Sequence, residues 1–492
     1  MTRFHEYERF DAVGLADLIA RREVDAAAIL DAAVERSELH NPTIGAVVHR
    51  MYDEARKTLA SASGPFASVP YLLKDLNVLY AGHPTRNGSA SFKDYVADHD
   101  STITARLRAA GLAIAGKTTT PEYGISPCAE PIAQDIVARN PWDLSRKPGG
   151  SSSGAAAAVA VGMVPAAHAT DGGGSIRIPA SWCGLFGLKP TRARNPVGPD
   201  TGEGWSGLGV GHAITRSVRD SAALLDATHG PEIGAPYVAP VPARPFIKEV
   251  GADPGRLRIA LATRSPIGTA LHPDTIAAAE DAAKLCADLG HHVEEAALDM
   301  DGEAMAWAYR LVIGANLANL VELRGQALGR RLGPGDIEPI TRLWAEASTG
   351  RTAIEYARMT QIIHGTGRRL ARFFERYDVL LSPTVGTPPP KIGEISMRDE
   401  NLDHYIGQVW DLVPFTLMIN YAGTPAATLP LHWNAAGLPI GVQVATRYGD
   451  EATIFRLCSQ LEQARPWFGR RPPTAGSAGA SSTSGGRLPS FR

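Results

Sequence analysis

Apolar residues recur at helical spacing over residues 10–36 and 42–60, where Ala, Leu and Ile return between Arg, Asp and Glu. The same spacing predicts helices at 273–289, 303–330 and 352–377. Between the helical stretches lie short runs with β character: PYLLKDL at 70–76, LAIAGK at 112–117, GLFGLKP at 184–190, RLRIALAT at 256–263, DVLLSPT at 378–384 and PIGVQVAT at 439–446. Strands alternating with helices argue for an α/β fold, a sheet sandwiched by helices. The alanine-rich run 155–169, broken by Gly162 and Pro165, reads as a buried helix too short to span a membrane. Residues 231–300 and 391–410 are the least patterned and are expected to be insertions over the site. Pro, Gly, Ser, Thr and Ala dominate 472–492, which cannot bury enough apolar surface to offset its ordering entropy. One folded domain over 1–471 and a disordered tail over 472–492 are therefore expected.

Composition narrows the function classes. With 44% hydrophobic and 20% charged residues, the 492-residue chain can build a large core, and no long polar linker divides it. A net charge of −2 without a long basic run leaves no electrostatic footprint for nucleic acid. Cys128, Cys183, Cys286 and Cys458 are dispersed and form no Cys/His cluster, so no metal is expected. They read as small buried residues of a reducing compartment, with Cys128 and Cys183 the candidates for a free thiol near the site. The first six residues carry no charged-then-apolar signal, so a cytoplasmic location is expected.

Three literal motif matches fail on context. Gly111 to Thr118 fits the phosphate-loop pattern GxxxxGK[ST], but its central residues are apolar and read as a strand, and Gly111 reads as the cap of the preceding helix. Gly150 to Gly154 fits GxSxG, but a polar, proline-bearing loop precedes it where a nucleophile elbow needs a strand. Gly202 to Gly207 fits GxGxxG with no strand before it.

The stretch KPGGSSSGAAAAVAVGMVPAAHATDGGGSIRIPA, 147–180, carries the chemistry. Gly172, Gly173 and Gly174 run into Ser175, and glycine's freedom in φ lets successive backbone N–H groups turn toward one point. Such a turn suits an oxyanion hole, which makes Ser175 the candidate nucleophile. The nearest histidine, His168, precedes the turn without an Asp…His pattern and reads as structural. Lys74, at the end of the apolar run PYLLK, is the better candidate base, the alternative being a surface lysine paired with Asp75. Strand alternation puts Asp75 on the opposite face from Lys74, and burial can bring a lysine down from its ordinary pKa of about 10.4.

These segments resemble the amidase signature family. The glycine- and serine-rich stretch, the PYLLKDL segment, RAAGLAIAGKTTTPEYG, Asn140-Pro141-Trp142-Asp143, Thr215 to Asp220 and Gly437 to Gln443 all resemble its landmarks, over about 1–471. The resemblance implies a single large domain with a twisted mixed sheet, and a Ser–cis-Ser–Lys triad. Ser175 would be the acyl-forming nucleophile, Ser151 the bridging serine after a cis Gly150–Ser151 bond, and Lys74 the general base. Gly172, Gly173, Gly174 and Ser175 would hold the oxyanion, and Tyr123 and Gly124 would border the acyl pocket. Asp171 and Arg177 match family positions and read as scaffold. Ser153 and Ala169 stand where members often carry glycine, and neither change removes a side chain the mechanism uses.

The expected activity is hydrolysis of a carboxylic amide through an acyl-serine, with no cofactor and no metal. Within the family, PYLLKDL, Ser265 to Gly268, His272-Pro273 and the chain length look most like hydrolases of cyclic and linear ω-aminoacyl amides. The apolar segments Tyr123–Ile125, Ser181–Cys183 and Trp307–Leu311 suggest a pocket for a small, uncharged amide, with ordinary core packing the alternative, most of all for Trp307–Leu311. No nucleic-acid or membrane partner is expected, and a homodimer is compatible with the sequence. Two rival readings are an ammonia-generating subunit resembling the A subunit of a glutamyl-tRNA amidotransferase, and a non-catalytic binding protein on the same fold.

Overall fold

The computed structural model describes residues 4–475. Among them, eleven strands form one sheet: β1 Val47–Arg50, β2 Pro70–Lys74, β3 Ala113–Thr118, β4 Ala166–Asp171, β5 Phe186–Lys189, β6 Val210–Thr215, β7 Arg258–Leu261, β8 His292–Glu295, β9 Val379–Pro383, β10 Ala426–Trp433 and β11 Pro439–Ala445. Their order is β1-β3-β2-β4-β6-β5-β10-β11-β9-β7-β8. The ladders β3–β2–β4 and β9–β7–β8 are parallel, and every other neighbouring pair is antiparallel. The fold is thus a single α/β domain around a large mixed sheet.

All six apolar runs form strands, and Gly111 (φ +90°) follows the helix Thr102–Ala109 just before β3. Alternation along β2 sends Tyr71 and Leu73 into one core and Leu72 into the other, so both sheet faces are covered by packed side chains. The small residues of the helix Ser153–Ala160 let it lie wholly buried between β4 and its neighbours.

The structure corrects several expectations. The run 155–169 is not one helix: it stops at Ala160, and Ala166 opens β4 between β2 and β6. Two neighbouring ladders override the helix preference of alanine there. The stretch 10–36 divides at Asp25, which caps the helix Ala26–Ile44 by accepting from Ala27 N–H at 3.1 Å. Residues 47–50 leave the predicted second helix to pair with β3. The stretch 231–300 is no insertion over the site, since β7, the helix Pro273–Asp288 and β8 build the far edge of the sheet. Residues 402–412 form a helix, Leu402–Leu412. The packed chain also runs past 471: Thr474 Oγ1 donates to Pro141 O at 2.8 Å. The rest of the tail expected to be disordered, from 476, lies outside the described residues.

Candidate active site

Three segments converge above the ends of β2 and β4. Lys74 closes β2, Ser151 precedes the helix Ser153–Ala160, and Ser175 ends the glycine turn between β4 and the helix Arg177–Cys183. Ser151, Ser175, Tyr123 and Gly124 line one cavity of about 120 Å³. Lys74 lies just beneath, with no exposed surface. Its Nζ stands 2.7 Å from Ser151 Oγ and 2.8 Å from Thr170 Oγ1. Burial pushes the Lys74 ammonium well below its ordinary 10.5, and the Asp171 charge opposes this only in part. The Gly150–Ser151 peptide is cis. Among the described residues, no hydrogen bond joins Ser175 Oγ to Ser151. The two hydroxyls share the cavity without a direct link.

Asp75 is not the partner of Lys74. Its carboxylate accepts from Arg86 N–H at 3.0 Å and from Gln134 Nε2 at 3.3 Å, on the other side of the strand end. The charge that matters to the glycine turn is Asp171. Arg177 donates to it through Nε and Nη2, each at 2.9 Å, and also reaches Asn420 at 2.6 Å and Gln443 at 2.8 Å. Burial pushes the Asp171 carboxyl up, but Arg177 outweighs it and holds the group below the usual carboxylate range. Asp171 Oδ1 in turn accepts from Gly174 N–H at 2.8 Å. This removes Gly174 from the expected oxyanion donors and leaves Gly172, Gly173 and Ser175 as the N–H groups not tied to that carboxylate.

Tyr123 and Gly124 both take left-handed φ, +50° and +70°. A Cβ at Gly124 would stand 2.5 Å from Leu76 Cδ2 and 3.3 Å from Ser151 Oγ, so only glycine leaves the Ser151 hydroxyl uncrowded. The Tyr123 hydroxyl lies 3.1 Å from Ser91 Oγ, which fixes the ring.

Other expected pocket residues lie elsewhere. Trp307 and Leu311 line a separate cavity beside Trp344, on the helix Gly302–Ala327. Ser181, Trp182 and Cys183 are buried in the helix under the turn, where Trp182 Nε1 donates to Thr387 O at 3.0 Å. Neither Cys128 nor Cys183 lines the Ser151–Ser175 cavity. His168 does line it, as a buried ring with neither nitrogen bonded to protein, and burial lowers its pKa to about 3. Among the described residues, no cluster of His, Cys, Asp and Glu could hold a metal ion. The sequence reading missed Thr170, although its hydroxyl stands directly before Asp171 in TDGGGS.

The amidase family model matches residues 28–455 of this chain. The chain belongs to the amidase family. A 6-aminohexanoate-cyclic-dimer hydrolase of Paenarthrobacter ureafaciens is 37% identical over 474 residues, covering 94% of this chain and 96% of that protein. The solved structure of 6-aminohexanoate cyclic dimer hydrolase complexed with substrate superposes with a TM-score of 0.92 at 36% identity, over 95% of this chain and all of that one. A bacterial aryl acylamidase of the amidase signature family gives a TM-score of 0.86 at 25% identity, over 96% of this chain and 99% of that one. The sheet and its flanking helices are therefore those of amidase signature proteins, and this chain is a hydrolase of amide C–N bonds.

Proposed function

We propose that this amidase hydrolyses small, uncharged carboxylic amides, linear or cyclic, with Ser175 as nucleophile, Ser151 as proton relay and Lys74 as general base. The observation that carries the proposal is the 2.7 Å contact between Lys74 Nζ and Ser151 Oγ, made by a lysine that burial drives toward its neutral form. A neutral amine offers a lone pair to the Ser151 proton, and Ser151 can then take the proton of Ser175. Ser175 Oγ attacks the amide carbon, and the N–H groups of Gly172, Gly173 and Ser175 receive the oxyanion. As the C–N bond breaks, the proton held by Lys74 returns through Ser151 to the leaving nitrogen. Water repeats the sequence on the acyl-serine, releasing the acid and restoring Ser175.

The cavity chemistry supports an uncharged substrate. Leu76, Val78, Ile103, Val197 and Trp205 are among its lining residues, and the one ionised side chain in that lining, Asp171, is already paired with Arg177. A glutamine head group, with both ammonium and carboxylate, finds no charged clamp there. A cyclic dimer of 6-aminohexanoate, the substrate in the relative's name, is an uncharged diamide and fits this chemistry. The four cysteines are buried free thiols, which supports a reducing compartment such as the cytoplasm. No helix among the described residues is long and apolar enough to cross a membrane.

The test is mass spectrometry after incubation with a fluorophosphonate, alongside kcat/KM on hexanamide, benzamide, a cyclic diamide and glutamine. An adduct on Ser175 with hydrolysis of the neutral amides supports the reading. Glutamine as the best substrate by about tenfold, or hydrolysis undiminished in Ser175→Ala, overturns it.

A further inference from the structure

Residues 204–209 form a tight loop pinched at its base, where Gly209 N–H donates to Gly204 O at 2.8 Å and Leu208 N–H to Trp205 O at 3.1 Å. At its tip Trp205, Ser206 and Gly207 take consecutive left-handed φ values of +49°, +53° and +82°. Two of these residues carry side chains in a region that disfavours them, so the surroundings must hold the tip in place. Three contacts do so. Ser206 Oγ lies 2.8 Å from the Tyr356 hydroxyl and accepts from Asn316 Nδ2 at 3.1 Å, while Arg192 Nε donates to Gly207 O at 2.5 Å. Tyr356 and Asn316 belong to the helices Ala353–Arg376 and Gly302–Ala327, so two separate elements fasten one serine.

The fastened tip lays the indole of Trp205 on Gly172. A Cβ at Gly172 would stand 2.8 Å from Trp205 Cε3 and 3.1 Å from Cζ3, so the ring occupies the space a side chain would need. Gly172 opens the turn that leads to Ser175, and both line the same cavity as Trp205. The indole therefore borders, over the first residue of the turn, the same space that Ser175 faces.

We propose that Trp205 is a specificity-determining residue. Its indole, held on Gly172 through Ser206, is the wall against which the acyl group lies. The wall admits slender unbranched chains and flat rings and excludes acyl groups branched beside the carbonyl. An apolar ring face gains dispersion contact with a methylene chain or an aryl ring, whereas a second α-substituent must displace the ring or the turn. The inference deepens the amidase reading and rests on it.

The experiment measures kcat/KM for hexanamide, 2-ethylhexanamide and N-methylhexanamide in the wild type, Trp205→Ala, Trp205→Phe, Gly172→Ala and the Gly172→Ala/Trp205→Ala double variant. Trp205→Ala is expected to raise the 2-ethylhexanamide to hexanamide ratio by about tenfold or more, and to leave the N-methylhexanamide to hexanamide ratio within roughly threefold. Gly172→Ala is expected to lower hexanamide hydrolysis far more in the wild-type background than beside Trp205→Ala, because the second change removes the clash. Should Trp205→Ala fail to fold by circular dichroism, Trp205→Phe and Tyr356→Phe carry the test, with a smaller shift in the same direction. Unmoved ratios, a shift confined to the N-methyl substrate, or equal harm from Gly172→Ala in both backgrounds overturns the assignment of Trp205. Those outcomes leave wild-type hexanamide hydrolysis in place, whereas a wild type inert toward every amide overturns the amidase reading as well.

Discussion

Thr170 Oγ1 lies 2.8 Å from Lys74 Nζ, so the buried lysine is held between two hydroxyls, one from β4 and one from the Ser151 turn. Among the described residues, no carboxylate hydrogen-bonds to it. In the proposed mechanism Thr170 accepts one N–H of neutral Lys74, which leaves the lone pair to point at Ser151. Thr170→Val keeps the side-chain shape and removes the acceptor. Lys74 becomes an ammonium as it takes the Ser151 proton, and a hydrogen bond to a charged group contributes about 1.5–3 kcal/mol, so kcat is expected to fall roughly ten- to a hundredfold. Thr170→Ser should restore most of it. Steady-state kinetics on hexanamide check this, and a change confined to KM would mean that Thr170 acts only on binding.

In the proposed mechanism Lys74, Ser151 and Ser175 handle the same proton, so their substitutions should not add. Each single change to alanine is expected to remove most of kcat, and the triple variant should be little worse than the worst single one. General-base catalysis contributes typically about 10²–10⁴-fold. Lys74→Ala retaining more than about a tenth of wild-type kcat would therefore remove the lysine from its proposed role.

How far the sequence reveals this site depends on what kind of signal each residue leaves. Lys74, Ser151 and Ser175 stand in long motifs whose glycines and small residues have backbone reasons to be there, and the structure gathers them at one cavity. Gly174 shows the limit of that logic. Its N–H looks like an oxyanion donor in a glycine run, yet Asp171 claims it, and spacing alone does not reveal a carboxylate folding back three residues. Strand β4 was illegible because Ala166, Ala167 and Ala169 carry no β-branched side chain, and only the ladders with β2 and β6 make it a strand. The Trp307–Leu311 segment leaves pocket and core equally open in the sequence for a related reason: an apolar helix face has the same pattern whether it meets a substrate or another helix. Trp205 lies in a loop with no periodicity, and nothing local marks it as touching Gly172.

Activity should rise with pH and then level off. The proposed base works only as neutral Lys74, and burial lowers its pKa well below 10.5, so the rising limb lies below the range of an ordinary lysine. His168 lines the same cavity, but with a pKa of about 3 it is already neutral across the working range and contributes no limb there. His168→Asn should therefore leave the rising limb of kcat/KM where it is. Disappearance of that limb in the variant would put a histidine back into the mechanism.

Beside the acyl pocket, Glu122 and Glu338 form a buried carboxyl pair, in which Glu122 Oε2 accepts from Glu338 N–H at 2.7 Å and Glu338 Oε1 accepts from Ile132 N–H at 3.1 Å. Burial raises Glu122 to about 7, against the hydrogen bond from Glu338 N–H. Burial and the neighbouring Glu122 raise Glu338 to about 8, with Arg398 opposing and Glu130 adding to the rise. Both values exceed the ordinary 4.5, so from about pH 4.5 to 8 the folded chain holds protons that the unfolded chain has released. Stability then falls as pH rises, because its slope follows protons bound unfolded minus protons bound folded. The contribution is complete below about pH 4.5 and is lost as pH climbs through 7 to 8. Glu338→Gln keeps the acceptor for Ile132 and cannot ionise. Thermal melts from pH 5 to 9 should show the wild-type Tm declining more steeply than that of Glu338→Gln, with the variant gaining on the wild type at the alkaline end. Parallel Tm curves would mean that Glu338 is ionised in the folded chain throughout, and the carboxyl pair beside Tyr123 would then have to find its compensating charge in Arg398.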